Sequence, residues 1–179
     1  MNSKIVDLWF LTECYVLAKN SPDKSTQNGA ILINSKSLQI LGKGFNTFPN
    51  GVKILSERLE RPKKYGFTGH AEERAIKDAL IKGYDVRGST LYCPWFACDG
   101  CGRDIVDFGI REVIGWGGVG NLMTPVQKLK GQADWKTSIR DALEMFDDAG
   151  INYRWVKGPL LEDLEILFYE KKVKLNDFA

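Results

Sequence analysis

Apolar residues recur along this chain with two different periods, and the switches between them set out its elements. Ile5, Leu8, Trp9, Thr12 and Val16 fall on one face at helical spacing and predict a helix over about 3–19, ended by Ser21-Pro22-Asp23. Ala30–Ile33 and Leu38–Leu41 are short apolar runs joined by the polar Asn34–Ser37, the pattern of a hairpin. Ala75, Ile76, Ala79 and Leu80 return to helical spacing, with Gly69 as the expected N-cap and an end near Gly83. Ser89–Cys93 reads as a strand. Ile105, Val106 and Phe108 give the next helix its apolar side, Gly109 caps it, and Glu112–Trp116 is a further strand. Trp135, Ile139, Ala142, Leu143 and Phe146 form a helical stripe stopped at Gly150, followed by a last strand over Asn152–Val156. Leu160, Leu164, Leu167 and Phe168 suggest a C-terminal helix with a basic end at Lys171, Lys172 and Lys174, either solvated or packed on a partner subunit. Strands alternating with helices predict an α/β sheet covered on both faces.

Composition narrows this only a little. At 179 residues the chain fits one domain, 1–179, with a core over about 30–156 and flanking helices over about 3–19 and 159–179. A net charge of +2 is too small for a surface that coats nucleic acid. Asp7 and Glu13 interrupt the apolar run 5–18, so it reads neither as a signal peptide nor as a membrane span. Four cysteines without a disulfide pattern point to a reducing cytoplasm, with Cys14 expected as a buried small hydrophobe. The polar stretch 46–68 carries five basic and two acidic residues, a local balance of +3. Connections this long are often functional, although such charges also simply solvate a loop.

The candidate chemistry lies in two short motifs. His70, the one histidine of the chain, opens His70-Ala71-Glu72; Cys98-x-x-Cys101 opens the helix that follows. One His and two Cys make a three-ligand zinc set with an open fourth position, the form that a catalytic site needs. Thiols three apart at a helix start project to one side, where the macrodipole favours the thiolate. Glu72 is placed to move protons without holding metal, with Glu73 the weaker candidate. A redox dithiol would leave His-x-Glu unexplained, and a structural zinc site would need Cys14 or Cys93 as its fourth ligand. Two other matches are discounted: Gly115–Gly120 fits a dinucleotide fingerprint but reads as loop before Pro125, and Asp107-Phe108-Gly109 stands without any other kinase motif.

His-Ala-Glu followed by Cys-x-x-Cys is the zinc-deaminase signature. Together with Gly44-Phe45-Asn46-Thr47-Phe48-Pro49-Asn50-Gly51, Thr90-Leu91-Tyr92 and Gly109–Ile114, it resembles the deoxycytidylate (dCMP) deaminases of the zinc-dependent cytidine deaminase superfamily, over about Ala30–Val156. The resemblance implies a three-layer α-β-α fold around a five-stranded mixed sheet, Zn²⁺, and hydrolytic deamination of dCMP to dUMP and ammonia. It implies that Asn46 binds the sugar hydroxyl, that the Ala71 backbone N–H holds the base carbonyl, and that backbone near Pro94 and Trp95 receives the exocyclic amine. It also implies homo-oligomers whose pockets are walled partly by neighbouring subunits. Three positions depart from the pattern: Ala97 replaces a proline before the first metal cysteine, Arg74 stands where Asn is common, and Thr47 replaces a glycine.

The phosphate of such a substrate is expected at Lys53 and Arg74, the first in the basic stretch and the second two residues beyond Glu72. The competing readings are another cytosine nucleoside or nucleotide, a base in RNA, or a deaminase fold that binds nucleotides without turning them over.

Overall fold

The computed structural model describes residues 3–118 and 135–179. Its centre is a five-stranded mixed sheet in the order β2-β1-β3-β4-β5. The strands are β1 (Gly29–Ile33), β2 (Ile40–Phe45), β3 (Thr90–Tyr92), β4 (Glu112–Trp116) and β5 (Asn152–Val156). β1 runs antiparallel to both β2 and β3, whereas β3, β4 and β5 are parallel. Helix α1 (Ser3–Ala18) covers one face; after the short α2 (Lys64–Phe67), α3 (Ala71–Ile81), α4 (Asp99–Asp107) and α5 (Trp135–Ala149) cover the other. The predicted three-layer mixed α/β architecture is therefore the observed one.

Strand alternation divides the core between the two faces. Ala30 and Leu32 pack with Ala75, Ile76, Ile105 and Phe146 on the α3–α4–α5 side. Ile31 and Ile33 pack with Leu11, Tyr15 and Trp116 on the α1 side. The α1 face differs from the predicted one: Leu8 and Thr12 are buried, but Ile5, Trp9 and Val16 are exposed. The inward stripe runs instead through Leu11, Cys14, Tyr15 and Ala18, all with no exposed area. Cys14 is buried as expected and donates its S–H to the Tyr92 carbonyl at 3.4 Å. A polar clamp joins the ends of this layer: buried Asp7 accepts from Tyr92 Oη at 2.8 Å and from Arg154 at 2.7 and 3.1 Å.

Close approach of α3 to β2 depends on two glycines. A Cβ on Gly42 would lie 2.1 Å from the Ala75 carbonyl oxygen, and one on Gly44 would lie 2.2 Å from that of Ala71. Gly115 likewise leaves room for Phe96, whose ring would be 2.7 Å from an added Cβ. That glycine lies inside β4, so the fingerprint-like run is strand and ring packing at its start; Val119, Gly120 and Pro125 lie outside the described residues.

The C-terminal segment corrects the sequence reading. In place of a helix it forms a hairpin, β6 (Glu165–Phe168) and β7 (Lys171–Lys174). Leu164, Ile166 and Phe168 are buried at alternate positions while Glu165 is exposed, a period of two that the leucine spacing masked. Tyr169 and Glu170 make the turn with φ of 49° and 67°, the left-handed backbone of a tight hairpin.

Candidate active site

Two helix N-termini meet at one end of the sheet. The isolated bridge Thr47–Gly69 ends the long 46–69 connection and delivers the chain to His70. His70, rather than Gly69, is the N-cap residue of α3, with φ −75° and ψ 158°. Its ring makes no capping bond and is directed at the thiols instead. Across from it, Cys98 caps α4, its sulfur accepting from the Cys101 N–H at 3.5 Å. The loop leading in holds Phe96 at φ 61°, a strained conformation for a non-glycine, fixed by the ring's stack on Trp155 at 4.5 Å.

The three expected ligand groups converge. His70 Nδ1 lies 3.2 Å from Cys98 Sγ and 3.4 Å from Cys101 Sγ, and all three ligand atoms are within 4.8 Å of one another. Tetrahedral zinc with thiolate and imidazole ligands needs separations of roughly 3.5–3.8 Å, so the donor set fits that ion in both chemistry and size. Glu72 is 3 % exposed, and its Oε2 is 3.7 Å from Cys101 Sγ. Burial, opposed by the charge of His70, pushes the Glu72 carboxyl up to about 7. The hydrogen bond to Cys98 raises the His70 imidazole to about 9 against burial. The bond from Cys101, with that from His70, holds the Cys98 thiol well down, while Cys101 itself is pushed up. Glu73 turns outward and pairs with Lys77.

One cavity contains His70, Ala71, Glu72 and Cys98, and Asn46 and Trp95 also line it. The Asn46 amide is already engaged: Oδ1 accepts from Asn28 N–H at 2.8 Å, and Nδ2 donates to the Thr26 carbonyl at 2.8 Å and to Asp23 at 3.4 Å. What it retains for a ligand is acceptor capacity on Oδ1. Pro94 is buried behind the lining, its carbonyl accepting from Trp116 N–H at 3.4 Å. Among the described residues, Thr68 Oγ1 and Trp95 Nε1 are buried polar atoms without a hydrogen-bond partner, and both residues line the cavity.

Lys53 and Arg74 are not brought to this site. Lys53 is exposed, its carbonyl accepting from Arg58, and Arg74 turns to Asn50 Oδ1 at 2.8 Å along a separate groove. From the same basic stretch, Arg61 and Lys64 line the cavity instead, joined by Asp23 and the C-terminal Phe168 and Tyr169. The sequence places Asp23 at a helix end and Phe168 in a C-terminal helix, away from any site; the one advance signal is the excess of positive charge in 46–68.

Residues 4–116 match the cytidine and deoxycytidylate deaminase zinc-binding region. An uncharacterized deaminase encoded 3′ of luxG in Aliivibrio fischeri is 32% identical over 142 residues, 79% of this chain and 87% of that protein. Human deoxycytidylate deaminase is 34% identical over 114 residues, 59% of this chain, and the match spans only 61% of the human protein. The crystal structure of the dCMP deaminase of cyanophage S-TIM5, in complex with dCMP and dUMP, superimposes with a TM-score of 0.57 at 20% identity, covering 83% of this chain and 93% of that one.

Proposed function

Starting from the membership of this chain in the cytidine and deoxycytidylate deaminase family, we propose that it is a zinc-dependent hydrolase converting dCMP to dUMP and ammonia. The observation that carries this reading is the convergence of His70, Cys98 and Cys101 beside a buried carboxyl, at the wall of a cavity that His70, Glu72 and Cys98 line. His70, Cys98 and Cys101 would hold the ion, which when bound would acidify a water near neutral pH and so supply a nucleophile for C4 of cytosine.

Glu72 handles the protons. Its carboxyl, raised to about 7 by burial, both accepts and returns a proton at neutral pH. It takes one from the attacking water, whose oxygen bonds to C4, and gives it to ring N3; it then takes the proton of the new C4 hydroxyl and passes it to the exocyclic nitrogen, so that the C4–N4 bond breaks, the C4 carbonyl forms and ammonia leaves. Ala71 N–H at the start of α3 faces the base carbonyl, Asn46 Oδ1 accepts from the sugar hydroxyl, and backbone at Pro94 and Trp95 receives the amine. The enzyme works as a cytoplasmic homo-oligomer. No described helix is long and apolar enough to cross a membrane.

Ammonia release from dCMP, CMP, deoxycytidine and dCTP tests the assignment. Preferred turnover of dCMP is expected. A preference for deoxycytidine moves the protein to nucleoside substrates, and no turnover of any of the four rejects the reading.

A further inference from the structure

Three charged side chains line the cavity away from the metal set, Asp23, Arg61 and Lys64; with Glu170, which reaches Arg61 from beyond the lining, they form two unlike pairs. Lys64 donates to both Asp23 oxygens at 2.9 and 2.7 Å, with side chains only 10% and 6% exposed. Removing either partner would leave a buried charge, so this pair is fixed. Arg61 donates to Glu170 at 2.9 Å, and there the carboxylate partner is 59% exposed. A pair of that kind contributes little and exchanges readily.

The two ends of the Arg61–Glu170 pair are held very differently. The guanidinium, 20% exposed, also donates to Ser25 Oγ and to Tyr65 Oη at 3.3 Å, so it keeps its place if Glu170 leaves. The Glu170 backbone is pinned by its N–H to the Ser25 carbonyl at 2.8 Å, and the adjoining strand by reciprocal bonds between Leu167 and Gln27. Only the Glu170 side chain is therefore free to swing. A planar guanidinium suits a phosphate as well as a carboxylate, but a phosphate dianion and Glu170 cannot share it without like-charge repulsion.

We propose that Glu170 is a specificity-determining residue whose carboxylate occupies the Arg61 corner until the 5′-phosphate of the substrate displaces it. This deepens the nucleotide reading above and rests on it. Glu170 lies beyond the family-matched residues 4–116, so the device belongs to the C-terminal hairpin of this chain.

Calorimetric titration of inorganic phosphate into the full-length zinc-loaded protein tests the exchange. E170Q should bind phosphate about two- to fivefold more tightly than wild type, the range that loss of an exposed ion pair supplies. R61Q should bind at least about tenfold more weakly, with R61K intermediate. The ratio of kcat/KM for dCMP to that for deoxycytidine should rise in E170Q and in E170A, and fall in R61Q. Equal phosphate affinity in wild type, E170Q and R61Q overturns the proposal and places the anion elsewhere, the metal included. Turnover of deoxycytidine without turnover of dCMP would remove the nucleotide reading, while the titration still decides whether phosphate displaces Glu170.

Discussion

Glu72 and His70 lie two residues apart and are asked to do different things. If Glu72 moves protons and holds no metal, Glu72→Gln should keep about one zinc per chain while kcat falls by about 10²–10⁴-fold. Metal analysis beside a single-turnover assay checks this, and near-normal turnover would point to Glu73. Zinc uptake has a pH dependence with a defined sign. In the apoprotein the bond to Cys98 keeps His70 cationic up to about 9, yet the ion needs the neutral ring. Each zinc bound below that pH therefore expels a proton from His70 and, because the Cys101 thiol is pushed up as well, another from Cys101, so affinity should rise steadily from pH 6.5 to 9. Chelator competition at three pH values measures it; a flat profile contradicts it. These residues were legible in the sequence because their spacing within two short motifs carries the chemistry. The phosphate end was not. Whether a cation faces a ligand depends on which distant groups neutralise it: Asp23 meets Lys64, and Glu170 meets Arg61 across 109 positions. Lys53 and Arg74 looked equally suitable in sequence, and only the tertiary fold excludes them.

Among the elements, the type was legible for most, although the inward face of α1 differs from the expected one and β2 runs over Ile40–Phe45 where Leu38–Leu41 was expected; the failure of type came where two periods overlapped. Leu160, Leu164 and Leu167 fit a helix, whereas Leu164, Ile166 and Phe168 fit a strand; the strand wins because Phe168 stacks on Trp95 at 4.3 Å and Ile166 is buried against the α1 layer. Nor did the sequence say why α3 lies where it does. Gly42 and Gly44 face its backbone, so an added methyl cannot be absorbed by side-chain rotation. Gly44→Ala should therefore push the first turn of α3 away from β2, destabilising the fold by about 1–3 kcal/mol or more. It should also weaken zinc binding, because His70 precedes that turn. Urea unfolding and zinc titration of the variant test both effects, and a stable variant with unchanged zinc affinity would show that α3 is not set by this contact. On the opposite face, Arg154→Ala strips buried Asp7 of two of its three hydrogen bonds and should cost about 1–3 kcal/mol. Because Arg154 does not line the cavity, the loss should appear in unfolding rather than in KM.

At the scale of the whole molecule, the candidate metal set joins the two halves of one helical layer, which share a core but lean on different neighbours. α3 rests on β1 and β2, whereas α4 packs chiefly against α5, and His70 and Cys98 are the N-caps of the two helices. An ion held by all three ligands ties these halves at their shared end, so zinc binding belongs to the free energy of folding as well as to catalysis. A ligand that binds only the folded state at about 1,000 times its Kd adds about 4 kcal/mol. For a chain of this length, each kcal/mol moves Tm by about 2–4 °C, which predicts a fall of about 8–16 °C on chelation. Calorimetric scans with and without a chelator measure the shift. Cys98→Ser should melt near the chelated wild type and respond little to added zinc, whereas Glu72→Gln should keep the full zinc-dependent shift. Loss of that shift in Glu72→Gln would make Glu72 part of the metal's support, and an unchanged Tm on chelation would mean that the two halves hold together without the ion.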